Sequence, residues 1–236
     1  MNIKEKEVDI MTDKYRFTGN TKEVSGHTLY QIKALKDFGD VKKGNLGGWI
    51  ESYDNLSQRG TSWVYDNARV YGNAMVYGNA RVYGSALVFG DALVRDNAMV
   101  YGNAQVYDHA WVYGKAWIHN NAMVYDNAIV YDDAHVYGNA QVYDNAQVYD
   151  HAWVSGHAQI HNNAMVYENV WVYGDVQIYG DVKIYGNAQV SGNAQVYGSA
   201  TICGCTVVRD NAKVYGDSDI QGKINIREND DIKDNN

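Results

Sequence analysis

Trp63-Val64-Tyr65-Asp66-Asn67-Ala68 is followed without a break by Arg69-Val70-Tyr71-Gly72-Asn73-Ala74, and the same pattern continues in register to residue 228. Every sixth residue from Val64 to Ile226 is Val or Ile, making 28 hexads, and the residue two before it is nearly always small, as at Ala68, Ala74 and Ala200. Two positions apart in an extended strand means one side of the strand, so the small and the aliphatic residue point together while their neighbours point away. Gly or Asp followed by Asn or Asp then supplies a corner, because these residues tolerate positive φ and bond to their own backbone. One hexad is one short strand and one corner. If three sides close a coil, eighteen residues stack on the next eighteen at about 4.8 Å, and the 28 hexads give about nine triangular coils.

The surrounding composition agrees with a repeat array. Twenty-three Gly, twenty-one Tyr and no Pro in 236 residues are far from ordinary globular usage. The net charge of −8 is uneven: residues 1–60 hold nine acidic and ten basic side chains, so the remainder carries −9. A bare acidic repeat lacks the Lys/Arg stripe that gripping phosphates requires, so direct nucleic-acid binding is not expected. The N-terminus is charged and has no apolar stretch long enough for a signal peptide or a membrane span, which makes the cytoplasm the expected location, the host's if the chain is phage-encoded. Cys203 and Cys205 fit neither a zinc knuckle nor a redox pair and read as incidental thiols.

The order aliphatic, any, any, any, small, any resembles the hexapeptide-repeat left-handed β-helix superfamily, which includes acyltransferases and γ-type carbonic anhydrases. That resemblance, not the spacing, implies the left hand. Upstream, Asp37-Phe38-Gly39-Asp40-Val41-Lys42-Lys43-Gly44-Asn45-Leu46-Gly47-Gly48-Trp49-Ile50, with Asn55-Leu56-Ser57-Gln58, resembles the YdcK-like bacterial and phage proteins. This second resemblance implies a β-rich cap leading into the helix. The expected organisation is thus all-β: 1–13 disordered, 14–60 an N-terminal cap with strands near Tyr15–Phe17 and Thr28–Ile32, 61–228 the left-handed parallel β-helix, and 229–236 a polar tail.

Sorting hexads by the eighteen-residue period places outward side chains in columns. One face carries Trp63, Arg81, Met99, Trp117, His135, Trp153, Trp171 and Gln189, while Trp111 stands on another with Met75, Leu93 and Ile129. Columns of Tyr accompany them. Two roles are open for these aromatics: they shield the coil-to-coil hydrogen bonds, or the wall of Trp63, Met99, Trp111, Trp117, Trp153 and Trp171 is covered by a partner. Hexapeptide β-helices resembling this one pack as dimers or trimers, so a homo-oligomer is the expected partner. At the corners Asp108, Asp126 and Asp144 should stack, as should Asp132, Asp150 and Glu168; like charges about 5 Å apart repel by something near 1 kcal/mol at solvent dielectric. A solvated edge, a divalent-ion ladder and a basic protein surface are the three readings of that feature.

Catalysis is the weaker expectation. Acyltransferases resembling this fold need a general-base His and usually a loop thrown out of the helix, and no hexad here contains an insertion. His119, His157 and His161 invite comparison with the zinc ligands of γ-type carbonic anhydrases, but their spacing is only approximate. No catalytic residue, metal or cofactor is therefore assigned. The sequence points to a non-enzymatic repeat scaffold presenting Tyr/Trp ladders and acidic corners. A phage-type antagonist that mimics nucleic acid or docks on a basic host protein is the alternative, and a hexapeptide-type acyltransferase the second.

Overall fold

The computed structural model describes residues 13–233. An antiparallel N-terminal sheet of β1 (Tyr15–Val24), β2 (His27–Ala34) and β3 (Leu46–Ile50) leads into 28 short strands, β4 (Trp63–Val64) to β31 (Asn225–Ile226). These form a parallel solenoid with three walls. Except at the two ends, each strand pairs with the strand three before and three after it, eighteen residues away, as in Val124↔Val142↔Ile160. Backbone N–H groups of one coil donate to carbonyls of the next, for example Met123 N to Ala140 O at 2.9 Å and Tyr125 N to Val142 O at 3.0 Å. The ladder closes because the inner Val/Ile and Ala columns are fully buried from Val64 to Val214. Each buried aliphatic contributes about 1.5–3 kcal/mol before ordering entropy is subtracted.

Corner chemistry follows the sequence closely. Asp and Asn corners have φ between 50° and 62°, as at Asp66 and Asp210, which these residues tolerate. Most solenoid glycines lie at 67–81°, but Gly174, Gly180 and Gly222 open to 97°, 94° and 100°. Those three precede Val176, Val182 and Ile224, where a branched side chain occupies the slot that Ala fills elsewhere. Only glycine reaches that φ cheaply; a branched residue in the slot does not by itself widen the turn, since Val170 follows Glu168 at 60° and Thr206 follows Gly204 at 73°. At Gly180 a Cβ would also fall 2.4 Å from the carbonyl oxygen of Gly198.

Both ends differ from the expected boundaries. β3 pairs antiparallel with β2 and parallel with β5 (Arg69–Val70), matching Ile50 to Val70, and Leu56 bridges Val76. The first coil therefore begins near Trp49 rather than at residue 61. It escaped the hexad count because Leu56 and Val64 are eight residues apart, not six. At the other end β32 (Asp231–Lys233) pairs with β29 (Lys213–Tyr215), aligning Ile232 with Val214, so β-structure runs into the expected tail. Residues 1–12 and 234–236 of the expected disordered segment and tail lie outside the described residues.

The N-terminal sheet covers the open first coil, where unpaired strand edges and Val side chains would otherwise meet water. Trp63 is 1% exposed and meets Tyr15 and Phe38 edge-on, with ring centroids 6.0 and 5.3 Å away. Lys14 is buried in the same junction, its Nζ donating to Ser62 O at 2.8 Å. Burial, and secondarily the charge of Lys36, lowers its pKa to about 8.

Candidate functional site: the outer aromatic and acidic columns

The wall built by the strand series from Trp63–Val64 to Asn225–Ile226 carries Met99, Trp117, His135, Trp153, Trp171 and Gln189 in one register. The alternation that buries Val100, Ile118, Val136, Val154, Val172 and Val190 turns these neighbours outward. Trp117 lies 4.9 Å from His135, His135 4.7 Å from Trp153, and Trp153 5.7 Å from Trp171, centroid to centroid. Trp117, Trp153 and Trp171 are 36%, 39% and 51% exposed. Partial burial is the main cause that holds His135 below the usual imidazole range, His119 adding to it and Asp133 opposing. A neutral imidazole thus completes an uncharged row.

One member expected on the exposed surface is covered, and Trp111 stands on the separate wall that the eighteen-residue period assigns to it. Trp63 is in register with the row but lies beneath the N-terminal sheet, so it is a core residue; the hexad pattern shows which way a side chain leaves its strand, not what folds back over it. Trp111, 46% exposed, stands on a different wall between Leu93 and Ile129. Met99 is half-buried, its sulfur 3.9 Å from the Tyr83 hydroxyl.

Rings next to the corners form longer columns. Tyr71, Phe89, Tyr107, Tyr125, Tyr143, His161, Tyr179, Tyr197 and Tyr215 stack continuously at 4.7–5.1 Å. Tyr113 to Tyr185 forms a second column, with the Arg95 guanidinium 4.2 Å above the Tyr113 ring. His119 sits between Tyr101 and Tyr137, and His161 between Tyr143 and Tyr179, in separate columns. Within one chain His119 and His161 are thus held apart, each a rung of its own column. Among the described residues no three His, Cys, Asp or Glu side chains converge as metal ligands.

The acidic corners have a structural task that stacking alone did not reveal. At seven corners the N–H of the positive-φ residue donates to a carboxylate eighteen residues earlier. Asp126 Oδ2 accepts from Asp144 N at 3.4 Å, and Asp144 Oδ2 from Asn162 N at 3.0 Å. Asp150 Oδ2 accepts from Glu168 N at 3.2 Å, and Glu168 Oε2 from Gly186 N at 2.9 Å. Asp66, Asp96 and Asp210 do the same for Gly84, Gly114 and Glu228. Asp108 and Asp132 head the two expected columns. A charge-assisted bond to an otherwise solvated amide offsets the repulsion between neighbouring carboxylates. The second corner position adds amide ladders, such as Asn103 to Asn121 to Asn139 at 3.1 and 3.0 Å.

Because the carboxylate acts as an acceptor, Asp144→Asn, which keeps an acceptor oxygen, is expected to change stability by less than about 0.5 kcal/mol. Asp144→Ala loses the bond and places a Cβ-bearing non-Asx residue at φ 56°, and is expected to cost about 1–2 kcal/mol. Chemical denaturation of the two variants checks this; equal losses would show that charge rather than the bond matters.

Similarity to known proteins follows the repeat. The YdcK β-solenoid repeat family matches residues 64–76, 74–90, 104–120, 122–138, 140–156, 158–174 and 188–204. An Escherichia coli (strain K12) protein named as the uncharacterized acetyltransferase YdcK is 44% identical over 52 residues, 22% of this chain and 15% of that relative. The shared stretch thus spans less than a sixth of the relative's length.

Proposed function

Because the chain is a YdcK-like β-solenoid protein, we propose that its work is done by the outside of the rod: it is a non-enzymatic scaffold that pairs with a second copy through the Trp wall. The observation that carries this reading is the uncharged row from Met99 to Gln189 with three half-exposed tryptophans. A basic partner would call for carboxylates on the wall, and the carboxylates are at the corners, where those of Asp66, Asp96, Asp126, Asp144, Asp150, Glu168 and Asp210 are engaged with backbone amides. A flat row without ionised groups is complementary to a copy of itself across a two-fold axis. Covering each half-exposed indole is worth on the order of 2 kcal/mol, so three of them supply a large part of a micromolar association. A cytoplasmic setting is part of this reading; among the described residues no helix is long and apolar enough to cross a membrane.

Replacing Trp153 and Trp171 with Glu puts two like charges on each face of the pair. Static light scattering is expected to show the variant at monomer mass under conditions where the parent is a dimer, with unchanged β-sheet dichroism. A parent and variant of the same mass at every concentration would refute the proposal. The name of the Escherichia coli relative favours a second reading, transfer of an acetyl group from a thioester. Release of free thiol from acetyl-CoA above background, with an amine acceptor present, would support that reading; none with a broad set of acceptors would count against it.

A further inference from the structure

The column beside the Trp wall is built from residues eighteen apart: Tyr65, Tyr83, Tyr101, His119, Tyr137, Ser155 and Tyr173. From Tyr83 to Tyr137 each ring lies on the next at 4.9, 4.7 and 5.0 Å. At the sixth position the ring is replaced by a hydroxymethyl group, and the column resumes one coil later with Tyr173. Two coil spacings, roughly 9.6 Å in all, therefore separate Tyr137 from Tyr173. That distance holds two ordinary ring-stacking contacts with one ring midway between them.

The gap is a real cavity of about 380 Å³, lined by Tyr137, Trp153, Ser155, Trp171, Tyr173 and Gln189 along with Val172. Its size falls within the range of small-molecule pockets, roughly 300–1,000 Å³. The floor is satisfied without a guest: Ser155 is 9% exposed and its hydroxyl donates to Val172 O at 3.5 Å. Tyr173, 45% exposed, is the wall open to an incoming ring. No ionised side chain lines the cavity, so nothing there compensates a phosphate, carboxylate or ammonium group. The Gln189 amide offers one donor and one acceptor at the edge.

We propose that this missing rung is a binding slot for one uncharged, planar aromatic ring, intercalated between Tyr137 and Tyr173 with its edge toward Gln189. The slot goes beyond the pairing proposed above but shares Trp153, Trp171 and Gln189 with that surface, so ring binding is titrated at concentrations where single chains prevail; association is read as mass and ring binding as a titration. Two sources share the chemistry, an aromatic side-chain group and a nucleoside base. Indole and adenosine serve as probes of the two, with cyclohexanol as the non-planar control and benzoate as the anionic one.

Quenching of the fluorescence of Trp153 and Trp171 reports the probes other than indole, and ligand-observed NMR saturation transfer reports all four. Saturable binding of indole or adenosine is expected, with cyclohexanol and benzoate at least tenfold weaker; whichever of the first two binds tighter names the source. Ser155→Tyr supplies the missing ring from the chain itself, so it should remove binding while leaving the melting temperature equal or higher. Tyr173→Leu opens one wall without filling the slot and should weaken binding severalfold. Binding that survives Ser155→Tyr, that is matched by cyclohexanol, or that never saturates would overturn the proposal.

Discussion

Val142→Asp is expected to divide the rod near its middle, while Gln141→Asp, one residue away, leaves it whole. Val142 is fully buried and lies between Val124 and Ile160 in the inner column, with no side-chain donor on the inner face of any of the three strands. A carboxylate there either stays ionised without a partner or takes up a proton. Either course costs several kcal/mol on top of the lost Val contacts. Gln141 leaves the same strand on the outer side, between Met123 and Gln159, where an added charge meets water and is expected to cost within about 1 kcal/mol. A solenoid is held by nearest-neighbour coils, so a local fault uncouples the two halves rather than softening the whole. Thermal dichroism should then show two transitions for Val142→Asp, and limited proteolysis should cut near the fault. Equal single transitions for the two variants would contradict the inside and outside assignment.

Alkaline pH is expected to unfold the protein cooperatively, from above about pH 10. Burial is the main cause that raises the phenol pKa along the columns. For Tyr125 and Tyr131, neighbouring tyrosines come next and corner carboxylates after them, and for Tyr107 and Tyr143 the carboxylates are the second cause. Tyr149 is pushed up to about 12. In the unfolded chain these groups ionise near pH 10. The folded state therefore holds more protons than the unfolded state above that pH, and its stability falls as pH rises. Stability from the columns is fully present below pH 10 and is lost on the alkaline side. Lys14 acts in the opposite sense over pH 8 to 10.5, where only the unfolded chain keeps its proton, but it is one group against many. Tyrosinate absorbance should stay low past pH 10 and then rise together with the loss of β-sheet dichroism, several protons leaving in a narrow interval. A gradual tyrosinate titration centred on pH 10 with the fold intact would refute it.

The inner half of this molecule was legible because a hexad is a geometric code. A small residue and an aliphatic one two apart can only share a side, and the 28-fold repetition excludes other registers. The corner residues were legible for the same local reason, down to Asp and Asn at moderate positive φ. What escaped reading depends on parts of the chain that meet from outside the repeat. Trp63 has the sequence environment of a surface tryptophan, and only the fold of Tyr15 and Phe38 over it makes it core. Ile50 and Leu56 belong to the first coil, yet two extra residues before Val64 break the count. Ile232 is a single aliphatic among charged neighbours and gave too little pattern to extend the last wall.

At the surface, stacking predicted which side chains lie together but not what they bond. Asp144 above Asn162 reads as a stacked acidic corner until the N–H of a positive-φ residue is considered as the missing partner. Ser155 carries its signal openly, as a break in a column of rings at a fixed period, though a column of residue names does not show that a cavity remains. Both features come from reading the eighteen-residue period as a set of distances.

Pairing through the Trp wall is the claim on which the functional reading rests, and sedimentation equilibrium between about 1 and 200 µM tests it most directly. The expected result is a reversible shift from the mass of one chain to twice that mass, abolished by Glu at positions 153 and 171. A single-chain mass across the whole range would contradict it.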